Sequence, residues 1–235
     1  LNERIRFSDL RKWFQRETTA AGNQGGRMRP GFEAVKRAVL GCVPEADALW
    51  FDSDREQIVL SIKGNAQPID NLSAGQRMML ALVADIAIKA VSHNDFLLPS
   101  DELGPEDEPL PRVLTQTPGV VLIDELDVHL HPTWQRRVAS DLKRTFPAMQ
   151  FVCTSHSPQV IGELAPDEIR VLDGDTVSIP SRTFGIDSSR ILEEVMETAE
   201  RNEAVSATLK DLSRLIDEEN LEKARQVLSR LETQL

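Results

Sequence analysis

Residues Gly119–Gln135 read "GVVLIDELDVHLHPTWQ", and the fold turns on that stretch. Four apolar residues, Val120 to Ile123, end in two adjacent carboxylates, Asp124 and Glu125. A run that short and apolar predicts a strand buried on both faces. Pro132 suits the first turn of a helix, where its missing N–H costs nothing, so a helix is expected from about Pro132 to Thr145. "MQFVCTS" then predicts a second buried strand at 149–154. Strand, helix and strand make a βαβ unit, with parallel strands and a right-handed crossover. Asp124 and Glu125 fall at the carboxyl end of the first strand, and His156, in "TSHSP", just past the carboxyl end of the second. Open parallel sheets bind ligands at that edge. Two acids and a histidine converging there suit phosphoryl transfer: one carboxylate for Mg²⁺, one to orient or deprotonate the attacking water, and a polar group near the γ-phosphate.

Upstream, "NLSAGQRMMLALVADIAIKAVS" predicts a long apolar helix introduced by Ser73. Ser73 and Gly75 at a helix start put free backbone N–H groups and the positive end of the helix dipole outward, which favours an anion; an ordinary serine N-cap has the same letters. Nearer the amino end, "FSDLRKWFQRETT" has helical spacing with Ser8 as N-cap. "AGNQGGRMRPG" reads as a flexible basic loop and "FEAVKRAVLGCV" as a short helix. "ADALWFD" and "QIVLSIKG", joined through "SDRE", predict a β-hairpin. Between the long helix and the βαβ unit, "HNDFLLPSDELGPEDEPLPRVLTQTPG" reads as a solvated, mobile surface insertion. "EIRVLDGDTVSIP" predicts short strands about an Asp-Gly turn. From Asp187 the chain turns helical. Val205, Leu209, Leu212, Leu215 and Ile216 line one helix, Leu221, Ala224, Val227, Leu228 and Leu231 the next, with "DEEN" as the turn of a helical hairpin. Two helices cannot bury both stripes by themselves, so the hairpin is either a docking element or packs on the body of the protein.

The 235 residues carry a formal charge of −11, which argues against a broad nucleic-acid footprint while leaving room for a local basic patch. Cys42 and Cys153 suggest no disulfide framework, so a reducing, cytoplasmic setting fits. The longest apolar stretch carries Asp85 and Lys89, and no membrane span or signal peptide is read.

In order along the chain, "LSAGQ", "VVLIDE" and "TSHS" reproduce the second half of an ABC ATPase module. The chain resembles the SMC/RecF/OLD-like soluble branch of that class. From about Leu72 to Leu172, and more loosely through "TFGIDSSRILEEVM", it is similar to the ATPases of Septu-type and retron-associated anti-phage systems. The resemblance implies an α/β fold, the C-terminal part of an ABC-type P-loop NTPase, with a parallel sheet, flanking helices and a helical hairpin tail. It implies that Leu72, Ser73, Ala74, Gly75 and Gln76 are the signature motif, which contacts the γ-phosphate of ATP held by the partner protomer. Asp124 would be the Walker B Mg²⁺ ligand, Glu125 the catalytic base and His156 the switch histidine. Asp127 to His131 occupy the D-loop, where His131 stands in place of the usual Asp, so the detailed role of that loop is open. The separation from Leu72 to Asp124, 52 positions, is stretched by the acidic Pro-rich insertion.

Three patterns resemble other sites. Asp127, His129 and His131 alternate as metal ligands can, without a fourth ligand in view. "SHND" at Ser92 has the letters of an HNH nuclease but lies at a helix end. "GRMRPGFE" (Gly26–Glu33) has the G-x-x-x-x-G frame of a phosphate loop, yet lacks the Lys and Ser/Thr that bind phosphate and magnesium. No phosphate loop is read among these residues, and the chain starts at a leucine, so the expectation is the C-terminal part of a longer ATPase, inactive by itself. The expected organisation is 1–70 as a helical and β-hairpin lead, 71–180 as the signature, Walker B and switch part of the core, and 181–235 as the helical tail. The expected activity is ATP binding and hydrolysis with Mg²⁺, in a homodimer closed by ATP that licenses a nuclease or other effector in anti-phage defence; DNA contact is open. The competing readings are a RecF-like DNA repair ATPase and a non-enzymatic interaction module.

Overall fold

The computed structural model describes residues 7–23, 25–104, 107–198 and 203–234, with side chains to Leu231. It divides into two units, residues 1–163 and 164–235.

The first unit begins with α1 (Phe7–Gly22), whose buried face is Leu10, Phe14, Glu17 and Ala21. Ser8 lies inside this helix rather than capping it. α2 (Pro30–Cys42) opens on a proline in its first turn. The expected loop therefore loses its ends to helices: Ala21 and Gly22 belong to α1, and Pro30 and Gly31 to α2. Trp13 and Phe14 of α1 meet Phe32 of α2, Trp13 stacked at 6.2 Å and Phe14 edge-on at 5.6 Å.

β1 (Ala46–Asp52) and β2 (Gln57–Ile62) form the expected antiparallel hairpin. A third strand, β3 (Asn65–Pro68), pairs with β2 and makes it central. That is why Ile58 to Ser61 are buried without alternation. β3 reads "NAQP", with no apolar pattern to reveal it.

α3 (Ala74–His93) is the long helix, about 30 Å at 1.5 Å per residue. Its apolar residues cover most of its circumference, and it packs on α2 through a core that includes Val35, Val39, Leu80 and Val83. The segment after it is only in part the solvated insertion that was expected: Asp95, Phe96, Asp101, Glu102, Glu108 and Pro109 are exposed, but its carboxyl part is anchored. α4 (Arg112–Thr115) buries Val113 and Leu114 completely, and Asp107 is buried as well. The Asp107 carboxylate accepts from the backbone N–H of Gly104 (3.1 Å) and Arg112 (3.3 Å), while its carbonyl accepts from the Arg37 guanidinium (3.1 Å). Acidic composition suggested solvation, but here an acid is consumed in satisfying backbone donors, and two apolar residues anchor the segment.

β4 (Gly119–Ile123), α5 (Pro132–Thr145) and β5 (Met149–Cys153) are the expected βαβ unit, with Gly119 opposite Met149 and Ile123 opposite Cys153 in a parallel pair. α6 (Pro158–Ile161) follows, capped by Ser157. The expectation of burial on both faces does not hold for β4. Val120 and Leu122 are 63% and 77% exposed, and Val152, opposite Leu122, is 51% exposed. The alternate residues Val121, Ile123 and Phe151 are half-buried, with Phe151 6.5 Å from the buried Phe146 at the end of α5. One apolar face is thus partly covered and the other is open.

In the second unit, β6 (Val171–Asp173) and β7 (Thr176–Ser178) pair about the Asp-Gly turn, with Gly174 at φ +53°. α7 (Ser188–Glu194) is capped by the Asp187 carboxylate, which accepts from the N–H groups of Ser189 and Arg190. α8 (Glu203–Asp217) and α9 (Leu221–Gln234) pack as the expected hairpin. Leu215, Ala224 and Leu231 are buried, whereas Ile216, Leu221 and Leu228 are exposed. Among the described residues no helix is long and apolar enough to cross a membrane.

Candidate functional site

The carboxyl ends of β4 and β5 are stitched together beyond their last ladder residues. Thr154 N–H donates to the Ile123 carbonyl (3.0 Å), and Leu126 N–H to the Thr154 carbonyl (2.9 Å). Between these bonds the chain turns sharply at Glu125, whose φ of +54° is left-handed. A non-glycine residue there carries strain of about 1–3 kcal/mol that the surrounding bonds must hold. The Thr154 hydroxyl does much of this. It accepts from Glu125 N–H (2.7 Å) and donates to Asp124 Oδ1 (2.6 Å). Because an amide can only donate, the direction of the hydroxyl proton toward Asp124 is fixed. Asp124 and Glu125 are both exposed at this edge, as is His156.

The turn after Glu125 grips the His156 segment. Asp127 Oδ1 accepts from the Ser155 hydroxyl (2.5 Å) and from His156 N–H (3.2 Å), and the Ser155 hydroxyl accepts from Ser157 N–H (3.1 Å). His131, at the end of the turn, is the N-cap of α5: its Nδ1 accepts from Thr133 N–H at 3.3 Å. A side-chain acceptor at that position is what a helix start requires, and Asp would fill the same place. Asp127 and His131 thus both hold backbone groups. Among the described residues no group of three or more His, Cys, Asp or Glu is placed to hold a metal ion.

The start of α3 meets the same turn. Ser73 and Gln76 form a reciprocal capping box, the Ser73 hydroxyl accepting from Gln76 N–H (3.2 Å) and the Gln76 side chain from Ser73 N–H (2.9 Å). The Ser73 and Gln76 side chains are therefore committed to the helix start, and the first-turn amides of Ala74 and Gly75 remain as its outward donors. Leu72 is buried beneath them. Gly75 is seated against backbone: a Cβ there would lie 2.5 Å from the carbonyl oxygen of His129, itself left-handed at φ +65°. The structure thus brings Leu72–Gln76, Asp124, Glu125, Asp127 and His156 into one region of the first unit. Sequence reasoning passed over Gln135, Thr154, Ser155 and Ser157, although three hydroxyls flanking one histidine were visible in "TSHSP".

Residues 61–162 match the family model described as "AAA domain, putative AbiEii toxin, Type IV TA system". The chain is 32% identical over 198 residues to the "Retron Vc95 probable ATPase" of Vibrio cholerae serotype O1 biovar El Tor, covering 75% of this chain and 36% of that protein. It is 35% identical over 175 residues to the "Retron Ec83 probable ATPase" of Escherichia coli, covering 73% and 27%. The chain is similar in sequence to the probable ATPases of these two retrons. The "Septu protein PtuA" of Bacillus mycoides (strain KBAB4) aligns at 30% identity over 60% of this chain and 17% of its own. The chain thus spans little more than a third, at most, of these three relatives. Among solved structures, one from a study of ATP-driven dimerisation of SMC ATPases superposes at a TM-score of 0.43 with 19% identity, over 70% of this chain and 92% of its own.

Proposed function

We propose that this chain supplies the signature, metal-binding and water-activating residues of an ABC-type ATPase, which closes as a dimer on ATP and so licenses a nuclease or other effector in cytoplasmic anti-phage defence. The observation that supports the ATPase part is the convergence at one sheet edge. Asp124 and Glu125 end β4, His156 follows β5, and the Gly75 helix start presses on the turn between them. The similarity to the retron and Septu proteins supports the setting in defence.

The donor set suits Mg²⁺. Asp124 gives only Oδ1 to Thr154, and a carboxylate offers about four lone-pair sites, so it keeps capacity for a hard cation. Nucleotide magnesium is commonly held by one or two carboxylates, phosphate oxygens and water, without a protein cage. Such a cation supplies charge neutralisation on the phosphates. Glu125, turned outward by its left-handed backbone and held through its N–H, takes the proton of the attacking water. His156 stands beside the γ-phosphate, its loop fixed by Asp127. Ala74 and Gly75 N–H groups, at the positive end of α3, face the γ-phosphate bound to the partner protomer. The phosphate loop, a pattern not found among the 235 residues, lies in another part of the ATPase. The open apolar face of β4 and β5 suits a covering layer supplied by such a part.

The test is Glu125→Gln in the full-length ATPase. The amide keeps the shape and can hold a water but cannot take its proton, so turnover falls by about 10²–10⁴ while ATP binding and the closed dimer persist. Phosphate release near the wild-type rate removes Glu125 from the role of base.

A further inference from the structure

We propose that Gln135 is the positioning residue that locks the loop carrying His156 to the 127–130 turn; its bearing on hydrolysis rests on the ATPase reading above. The half-buried Gln135 side chain, on the first turn of α5, makes three bonds with two separate segments. Its Nε2 donates to the carbonyls of Asp127 (3.1 Å) and Leu130 (3.0 Å), and its Oε1 accepts from the Ser157 hydroxyl (2.8 Å). The two carbonyls decide the orientation of the amide, since a carbonyl oxygen in place of the NH₂ would face both of them.

The chemistry needs a carboxamide of this length. Glu has no donor when ionised, Lys has no acceptor, and Asn is one methylene short. Asp127 completes the clamp from the other side through Ser155 and the His156 amide. The backbone on both sides of His156 therefore hangs on the turn, directly at Ser155 and through Gln135 at Ser157. Any displacement of that turn by a neighbouring protomer reaches the histidine through Gln135 as well as through Asp127, because the bonds form one contiguous network. Gln135 reaches no reacting atom itself; it acts by placing His156.

Amide hydrogen exchange on the chain as it stands tests the clamp. Gln135→Met keeps the volume and removes the bonds. The amides of 127–130 and of 156 and 157 are expected to exchange about tenfold faster, while those of β1 and β2 are unchanged. Gln135→Glu is the second variant. Ionised, it loosens the same two segments; protonated at low pH it regains one of the two donors, and their protection returns in part when compared with wild type at the same pH, where the Asp127 carboxylate titrates in both proteins. In the full-length ATPase, kcat falls with KM unchanged for both variants at neutral pH. Unchanged exchange at both segments, or faster exchange spread evenly over the first unit in both variants, overturns the proposal. Localised loosening in the variants, together with a full-length wild-type protein that turns over no ATP, leaves the clamp standing and sinks the ATPase reading instead.

Discussion

Gly75 offers the sharpest quantitative test, because its environment fixes both the sign and the size of the effect. In Gly75→Ala the new methyl would lie 2.5 Å from His129 O, 3.4 Å from His129 C and 3.5 Å from Leu130 Cα. Real contacts of this kind stay above 3.0 Å, so the turn must retreat by at least about 0.5 Å. The obstacle is backbone in a left-handed residue, and no rotamer change relieves it. Overpacking of this kind costs about 1–3 kcal/mol, offset by roughly 0.5–1 kcal/mol that alanine gains over glycine in a helix. Taking the middle of both ranges, the net loss is about 1 kcal/mol, or roughly 2–4 °C in Tm for a protein of this size. Gly41→Ala is the internal control. Gly41 lies in α2, and its methyl meets only Thr145 Oγ1 of α5 at an ordinary 3.6 Å, so the helix gain of roughly 0.5–1 kcal/mol should appear as stabilisation. Scanning calorimetry of the two variants should show melting moving in opposite directions. A Gly75→Ala protein as stable as Gly41→Ala refutes the claim that the start of α3 is seated on the turn.

Three further outcomes are expected. Ser73→Arg removes the capping hydroxyl and puts bulk at the helix start. In the full-length ATPase it should abolish the ATP-dependent dimer in sedimentation, and an undiminished dimer would place the signature elsewhere. On the proposed reading the grip on the phosphates comes mainly from a phosphate loop, a pattern not found among the 235 residues, so this chain alone should give no stoichiometric micromolar isotherm with Mg-ATP; calorimetry decides, and such an isotherm would mean the nucleotide site is misplaced. Burial pushes the Cys42 thiol from 9.0 to about 11, with its Thr145 hydrogen bond opposing and the nearby Asp141 adding to the rise. The folded state thus keeps a proton that the unfolded state loses. The stabilisation is complete below pH 9.0 and is lost as pH rises toward about 11, by no more than roughly 3 kcal/mol. Urea midpoints from pH 8 to 11 should fall more for wild type than for Cys42→Ala, and equal slopes would exclude the thiol as the cause.

What the sequence determined by itself is local. Apolar runs and breakers set β4, α5 and β5, Pro132 set the start of α5, Ser73 that of α3, and the Asp-Gly turn and "DEEN" set two hairpins. Each of these is decided by residues within a turn or two of one another, where propensity, capping and periodicity act. The tertiary structure decided the partners. Thr154 lies 30 residues from the carboxylate it serves, Ser157 lies 22 from Gln135, and Arg37 lies 70 from the buried Asp107 that organises the supposed insertion. No period in the chain encodes those separations. It also decided which faces are covered: the apolar run of β4 records that Val120 and Leu122 avoid water, not what shields them, and in this chain that face is open. Gly75 makes the same point at atomic scale. Its letter in "LSAGQ" reads as part of an anion site, while the 2.5 Å approach of the His129 carbonyl shows a second demand for glycine that only packing imposes.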